Sequence, residues 1–281
     1  MQTLIIADST CDILSMDGQN FISVPLTIST EERTFTDDEN INVDEMLDYL
    51  SSYRGRSRTA CPSVDDWLKR YEGFDVIYAV VLSSGISGTY NAAVTAADIY
   101  REEHPDAKIK VFDTLSAGPE VRLLCDKIAE FVREGKDFDE VCRLAEFYTK
   151  HTRVFFALKS FHNFAQNGRV SKVVAAAAGV LNICVLATAS LKGEIEIVSK
   201  CRGENGTIKG FLDCLKKSGY NGGKVYISHC KGPEFAASIA RAIKEQYETA
   251  KITLYETRGL CSYYAEKGGM LLSCECDIAY E

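Results

Sequence analysis

The chain has 281 residues, 46% of them apolar, and a formal net charge of −8 at pH 7. That length and apolar share suffice for one large domain or two modest ones with cores of their own, whereas the acidic balance offers nothing to wrap a phosphate backbone and argues against nucleic acid as a partner. No run approaches the roughly 18 uninterrupted apolar residues of a membrane span, and MQTLIIADST has neither a basic flank nor a small-residue cleavage site, so a cytoplasmic protein with no stable membrane insertion is expected.

In chain order, LIIADS (Leu4 to Ser9) is a short apolar run stopped by polar residues, the pattern of a buried parallel strand whose carboxyl end emerges at Asp8 and Ser9. FISVPLTIS (Phe21 to Ser29) reads as a second strand, VDEMLDYLSSY as a helix, and DVIYAVVLSS (Asp75 to Ser84) as another strand. The Ala-rich run from Asn91 to Tyr100 is helical, KIKVFDT is a strand, and VRLLCDKIAEFVREG is a helix closing on Gly135. Strand and helix thus alternate through about the first 150 residues, the signature of a mostly parallel sheet covered on both faces. Ligands on such sheets sit beyond the carboxyl ends of the strands, so Asp8 to Thr10, Ser83 to Ser87 and Asp113 to Ser116 are expected on one rim.

From RVFFALKSFHNFAQNGRVSK onward the texture changes. VLATASLKGEIEIVSKCRG alternates around a Lys-Gly turn as an antiparallel hairpin, and KVYISHC and KITLYET are strands flanking the helix EFAASIARAIKEQY. The expected organisation is α/β in two domains: a mostly parallel three-layer α/β/α domain over 1–159 and a mixed-sheet α/β domain over 160–281, with a ligand groove between them.

Eleven cysteines, an odd number spread through a chain with no secretion signal, point to reduced thiols. Cys274 and Cys276 form a C-x-C with no second close pair or histidine to complete a metal site, so small buried residues are the simpler reading. The acidic run TDDENINVDE is read as a solvated loop and helix start; three neighbouring carboxylates suit Mg²⁺ in principle, but no spacing there matches a calcium loop, and no metal is assigned.

LSSGISGTYNAA (Leu82 to Ala93) carries the chemistry. Gly85 and Gly88 let the backbone turn sharply and approach a ligand, and the hydroxyls of Ser84, Ser87 and Thr89 with the open amides of a helix start favour an anion there. A nucleotide loop would need G-x-G-x-x-G or a terminal Gly-Lys-Ser/Thr, and SSGISGT has neither. Helix capping alone is the bland alternative. GISG also approaches the nucleophile elbow G-x-S-x-G with Ser87, one residue out of register; of four histidines only His229, at a strand end, is placed to serve it, which leaves a serine esterase or thioesterase as the enzymatic alternative. RTACPS holds Thr59 beside Pro62, whose ring favours an extended backbone before it. NGRVSK and KCRGENG each set an arginine, Arg169 and Arg202, near a glycine, where a pair beside an anion loop suits carboxylate or phosphate contact.

Taken together, IIADSTCDI, VPLTI, TACPS, LSSGISGTYNAA, FDTLSAG, NGRVS, GVLNI and K-x-RG at Lys200 to Gly203 resemble the DegV family of bacterial fatty-acid-binding proteins nearly end to end. The resemblance implies a two-domain protein that encloses one long acyl chain, with no other cofactor and no catalysis of its own. It also implies a carboxylate on the Ser/Gly loop, shared by Thr59, Ser84 and Ser87 with the amides of Gly85 and Gly88. Family members pass the bound fatty acid to a separate kinase for phospholipid synthesis, so a fatty acid kinase is the implied partner. Two departures stand out. Ala60 and Cys61 occupy positions the family commonly writes as serine and glutamine, and a C-terminal His-Thr-Gly-Pro-Gly stretch is replaced by YETRGLCSYYAEKGG. In that replacement Thr257 keeps its place, and Glu256 or Arg258 is left to fill the gap of the lost histidine.

Overall fold

A computed structural model describes residues 1–171 and 182–279. Strand β1 (Thr3–Asp8) runs into a single 3-10 turn at Ser9–Cys11, and β2 (Asn20–Val24) lies parallel beside it. The strand expected over Phe21 to Ser29 is in fact two. Pro25 has no amide to donate, and after it the Leu26 amide turns to Ser9 Oγ at 3.1 Å, so the chain leaves the first sheet. It continues as β3 (Thr27–Ser29), which pairs antiparallel with β4 (Thr34–Thr36) and, beyond α1 (Val43–Ser52), with β5 (Arg58–Ala60). Helix α1 begins where expected because the Asn42 side chain caps the Glu45 amide.

Next come α2 (Val64–Tyr71), closed at its start by a Ser63/Asp66 capping box, and then β6 (Val76–Val81), α3 (Thr89–Glu103) and β7 (Lys108–Asp113). These complete a four-stranded all-parallel sheet in the order β2-β1-β6-β7. Alternate residues of β1 and β6 point to opposite faces, and both faces are buried. Leu4, Ile6, Ile77 and Ala79 meet Trp67, Ala93 and Tyr100 of α2 and α3, while Ile5, Ala7, Tyr78 and Val80 meet the opposite layer. That two-sided burial is why these strands read as unbroken apolar runs.

The opposite layer is built on α4 (Pro119–Arg133) with α5 (Phe138–Thr149), and it is shared with a second sheet. That sheet begins earlier than the expected boundary at residue 160. Strand β8 (Thr152–Leu158), whose residues are all buried, pairs with β9 (Ile183–Ala189) and β13 (Met270–Glu275) in its interior. Helix α6 (His162–Gln166) follows β8; then come β9, β10 (Ile195–Arg202), α7 (Gly203–Lys217), β11 (Gly223–His229), α8 (Pro233–Gln246), β12 (Ala250–Glu256), α9 (Gly259–Ala265) and β13. The strand order is β10-β9-β8-β13-β11-β12, antiparallel except for the β11/β12 pair, and β9–β10 is the expected hairpin. One face packs on α7 and α8 through Phe211, Leu215, Ile239 and Ile243, and the other faces α4. The architecture is a stack of helix, parallel sheet, shared helix layer, mixed sheet and helix.

Candidate functional site

The strand ends expected to converge do so. The side chain of Asp8 at the end of β1 accepts from the Leu82 amide beyond β6, and the Ser83 amide donates to the Ser116 carbonyl beyond β7 at 2.7 Å. This rim faces the inner side of the second sheet, and α4 starts too far along to fill the space between them. What remains is a narrow cavity: the atom-free space, with its open mouth included, is about 890 Å³, of which the centre of a water molecule could range over about 90 Å³. Val154, Phe156 and Leu158, on one face of β8, all line it. Four strand steps at about 3.3 Å make it at least ~13 Å long. Thr10, Leu82 and Ala117 come from the rim, and Leu260, Cys261 and Ala265 from α9. Gly118, at φ +65°, lets α4 begin where an added Cβ would stand 2.9 Å from Leu271 Cδ2.

Polar groups gather on one part of this apolar lining. Thr59 on β5 shares a 2.8 Å hydrogen bond between its hydroxyl and that of Tyr264 on α9, and its amide donates to Asn167 Oδ1 at 3.1 Å. Phe164 of α6 stacks on Tyr264 with ring centroids 4.3 Å apart. Arg169 donates through Nε to the Ile86 carbonyl at 3.0 Å and through Nη1 to the Asn167 carbonyl, which ties its guanidinium to the residue before Ser87. Thr59, Ser87, Arg169 and Tyr264 all line the cavity. Among the described residues no carboxylate lies within 4.0 Å of Arg169; Glu194 also lines the cavity but is exposed and makes no ion pair with it. Burial pushes the Tyr264 phenol up, so it stays a neutral donor.

The Ser/Gly loop works differently from its sequence reading. The Gly85 amide donates to Ser83 Oγ, the Ile86 and Ser87 amides to the Ser83 carbonyl, and the Ser84 amide to Asp113 Oδ1, so these donors are spent within the rim. A Cβ on Gly85 would stand 2.3 Å from the Lys192 carbonyl, and one on Gly88 3.3 Å from Cys61 Sγ. Their missing side chains admit the β9–β10 turn and the Thr59 segment. Ser84 is exposed and does not line the cavity. Ser87 does, with its hydroxyl 2.9 Å from that of Thr89.

The remaining sequence-derived positions lie elsewhere. Arg202 is exposed at the junction of β10 and α7, outside the cavity. Thr257 is buried and bonds the His229 carbonyl and the Ser262 hydroxyl, while Glu256 pairs with Lys231. Arg258 is turned toward the first sheet: its amide donates to Asp12 Oδ1 at 2.7 Å and its guanidinium to the Asp38 carbonyl. Lys172 and the Gly179 to Leu181 part of GVLNI lie outside the described residues. Tyr264 was not legible beforehand; the only signal was the Tyr-Tyr pair in the substituted C-terminal stretch.

Beneath the site lie three buried carboxylates. Asp37, in the run expected to be solvated, is fully buried, and its two oxygens accept the Gly259 and Leu260 amides at 2.8 and 2.9 Å, fixing the start of α9. Burial pushes the carboxyl of Asp8 up to about 6 and that of Asp12 up to about 8, against the hydrogen bonds each accepts. Among the described residues Asp12 Oδ2 has no hydrogen-bond partner, which leaves room for the proton. His229, the possible base for Ser87, does not line the cavity and accepts instead from the Gly232 amide.

A model of the DegV family matches residues 2–274. A DegV domain-containing protein of Streptococcus pneumoniae is 38% identical over 277 residues, 97% of this chain and 99% of that protein. The crystal structure of a DegV family protein from Eubacterium eligens loaded with heptadecanoic acid superposes with a TM-score of 0.96 at 46% identity, covering 98% of this chain and 100% of that one. That of the Streptococcus pneumoniae Fatty Acid Kinase (Fak) B3 protein loaded with linoleic acid gives 0.96 at 37% identity, covering 99% and 100%. With the family model spanning both sheets and the cavity between them, the chain belongs to the DegV family.

Proposed function

We propose that this chain is a carrier that buries one long-chain fatty acid between its two sheets, holds the carboxylate among Thr59, Ser87, Arg169 and Tyr264, and presents it to a separate fatty acid kinase. The observation that carries this reading is an apolar cavity with a polar cluster whose cation has no acidic partner among the described residues. Heptadecanoic acid and linoleic acid in two close structural relatives support the ligand class, and the kinase in the name of the second supports the partner. Enclosing sixteen carbons at about 0.8 kcal/mol per methylene yields on the order of 10 kcal/mol before ordering losses. A charge-assisted hydrogen bond at the head group adds about 1.5–3 kcal/mol. Affinity therefore resides in the tail, and orientation in the polar cluster.

Chemistry at Ser87 is disfavoured by its surroundings: among the described residues no histidine lines the cavity to take its proton. No described helix is long and apolar enough to cross a membrane, and all eleven cysteines are unpaired, which supports a reducing, cytoplasmic setting.

Mass spectrometry of an organic extract of the purified protein tests the reading, with an acyl chain bearing a free carboxylate expected. A protein that co-purifies with no lipid and, once delipidated, retains methyl esters as well as free acids would refute it. Turnover of a chromogenic acyl ester that disappears in Ser87→Ala would establish the esterase instead.

A further inference from the structure

The polar cluster draws its members from distant parts of the chain, and one short segment at the end of α6 touches most of them. Phe164 stacks on Tyr264, and Arg169 donates to the Ile86 carbonyl, one residue before Ser87. Between those two contacts Gln166 and Asn167 meet β5. That strand lies at an edge of its three-stranded sheet, so amides on its outer side need partners other than a strand. The Ser57 amide, just ahead of β5, donates to Gln166 Oε1 at 3.2 Å, and two residues on the Thr59 amide donates to Asn167 Oδ1 at 3.1 Å. Two side-chain amides thus stand in for a neighbouring strand.

Asn167 does more than cover an edge. Its Nδ2 donates to the Asn163 carbonyl and to the Tyr263 hydroxyl, both at 2.9 Å, and its own carbonyl accepts from Arg169 Nη1. The partners fix which way the side-chain amide points: the Thr59 N–H requires an oxygen, and the Asn163 carbonyl requires a donor. Aspartate, of the same shape, lacks the donor, and leucine lacks both groups. One residue therefore joins Thr59, through its side chain, to Arg169, through its backbone, while itself lying outside the cavity lining.

We infer that Asn167 is the positioning residue of the polar cluster: it holds Thr59 and Arg169 together on one carboxylate and so sets the preference for a free acid over its ester. The inference rests on the fatty-acid reading of the cavity and names what fixes its head-group selectivity. A carboxylate gains from both donors only when both stand at hydrogen-bond distance with good angles at once. Without the Asn167 side chain the β5 edge is released from the segment that carries Arg169, and that match is lost. Burial of the tail has no directional requirement and is unaffected.

The test uses the delipidated full chain and calorimetry with palmitic acid and its methyl ester. Wild type is expected to prefer the acid. Asn167→Ala should weaken the acid about fivefold or more and the ester by less than about twofold. In a chain already carrying Thr59→Val and Arg169→Met, Asn167→Ala has nothing left to position and should change the acid by less than about twofold. Tyr263→Phe, which removes only the hydroxyl that takes Asn167 Nδ2, should move the acid-to-ester ratio in the same direction by a smaller factor. A merely structural role would lower the melting temperature and weaken acid and ester alike. The inference is overturned if Asn167→Ala melts cooperatively yet keeps the wild-type ratio, or if it costs the double variant as much acid affinity as it costs wild type. Should Asn167→Ala fail to fold, Tyr263→Phe decides by the same ratio. Wild type that binds neither ligand, or acid and ester equally, overturns the fatty-acid reading itself, an outcome distinct from a ratio that Arg169→Met shifts and Asn167→Ala does not.

Discussion

Replacing Arg169 by Met removes the one guanidinium in the cavity lining while keeping much of the stem. Its Nε is held by the Ile86 carbonyl and its Nη1 by that of Asn167, so among the described residues the outer nitrogen, Nη2, is the one left for a ligand oxygen. One charge-assisted bond contributes about 1.5–3 kcal/mol, a loss of roughly 10- to 150-fold in Kd for a free fatty acid. The bonds to Ile86 and Asn167 vanish as well, but with any ligand. Measuring the acid and its methyl ester against wild type and Arg169→Met by calorimetry cancels that shared part, and the coupling between guanidinium and carboxylate remains. The expectation is a 10-fold or greater loss for the acid and, for the ester, a change within about twofold; a half-buried pair should also lose little of this coupling in added salt. Equal weakening of acid and ester would show that Arg169 only braces the Ile86 loop, and the head-group assignment would fall.

Thr59→Val and Tyr264→Phe each remove one end of the same 2.8 Å hydrogen bond; each should weaken the acid by about 0.5–1.5 kcal/mol, and the double variant by less than the sum, in the same calorimetric assay. Gly193→Ala places a Cβ 1.9 Å from Ser83 Oγ at a φ of +71°, so a loss of roughly 1–3 kcal/mol in urea unfolding is expected, with the β9–β10 turn displaced from the rim. Asp12 gives a pH signature. Its native carboxyl, at about 8, lies above the ordinary 3.8, so the folded protein holds the proton more tightly. That stability is complete below the ordinary value and is lost as pH rises through about 8. Between roughly pH 6.5 and 8 unfolding free energy should therefore fall with pH, at a slope of at most about 1.4 kcal/mol per unit from this group. Asp12→Asn, which keeps an acceptor for the Arg258 amide and suits the residue's φ of +58°, should flatten the slope; an unchanged slope would exclude Asp12 as its source.

Much of the scaffold was legible. The runs at Leu4 and Asp75 are unbroken because both faces of the parallel sheet are buried there, the helix at Val43 follows local periodicity and its Asn42 cap, and the one at Thr89 its Ala-rich composition. The rim was also legible, since in a parallel sheet the carboxyl ends must lie together. Less visible was β8, where the buried polar side chains of Thr152 and Arg153 interrupt the apolar run that marks the other buried strands.

The sequence by itself determined what depends on near neighbours: alternating strand and helix, and the Ser/Gly turn between β6 and α3. Only the tertiary structure decided which of those residues share a cavity. Thr59 meets Tyr264 across 205 positions, and Arg169 reaches Ile86 across 83, while Arg202, in an equally suggestive setting, stays on the surface. The physical reason is that strand pairing and the layer shared around α4 place side chains by contacts remote along the chain. Residue type and spacing carry no record of them.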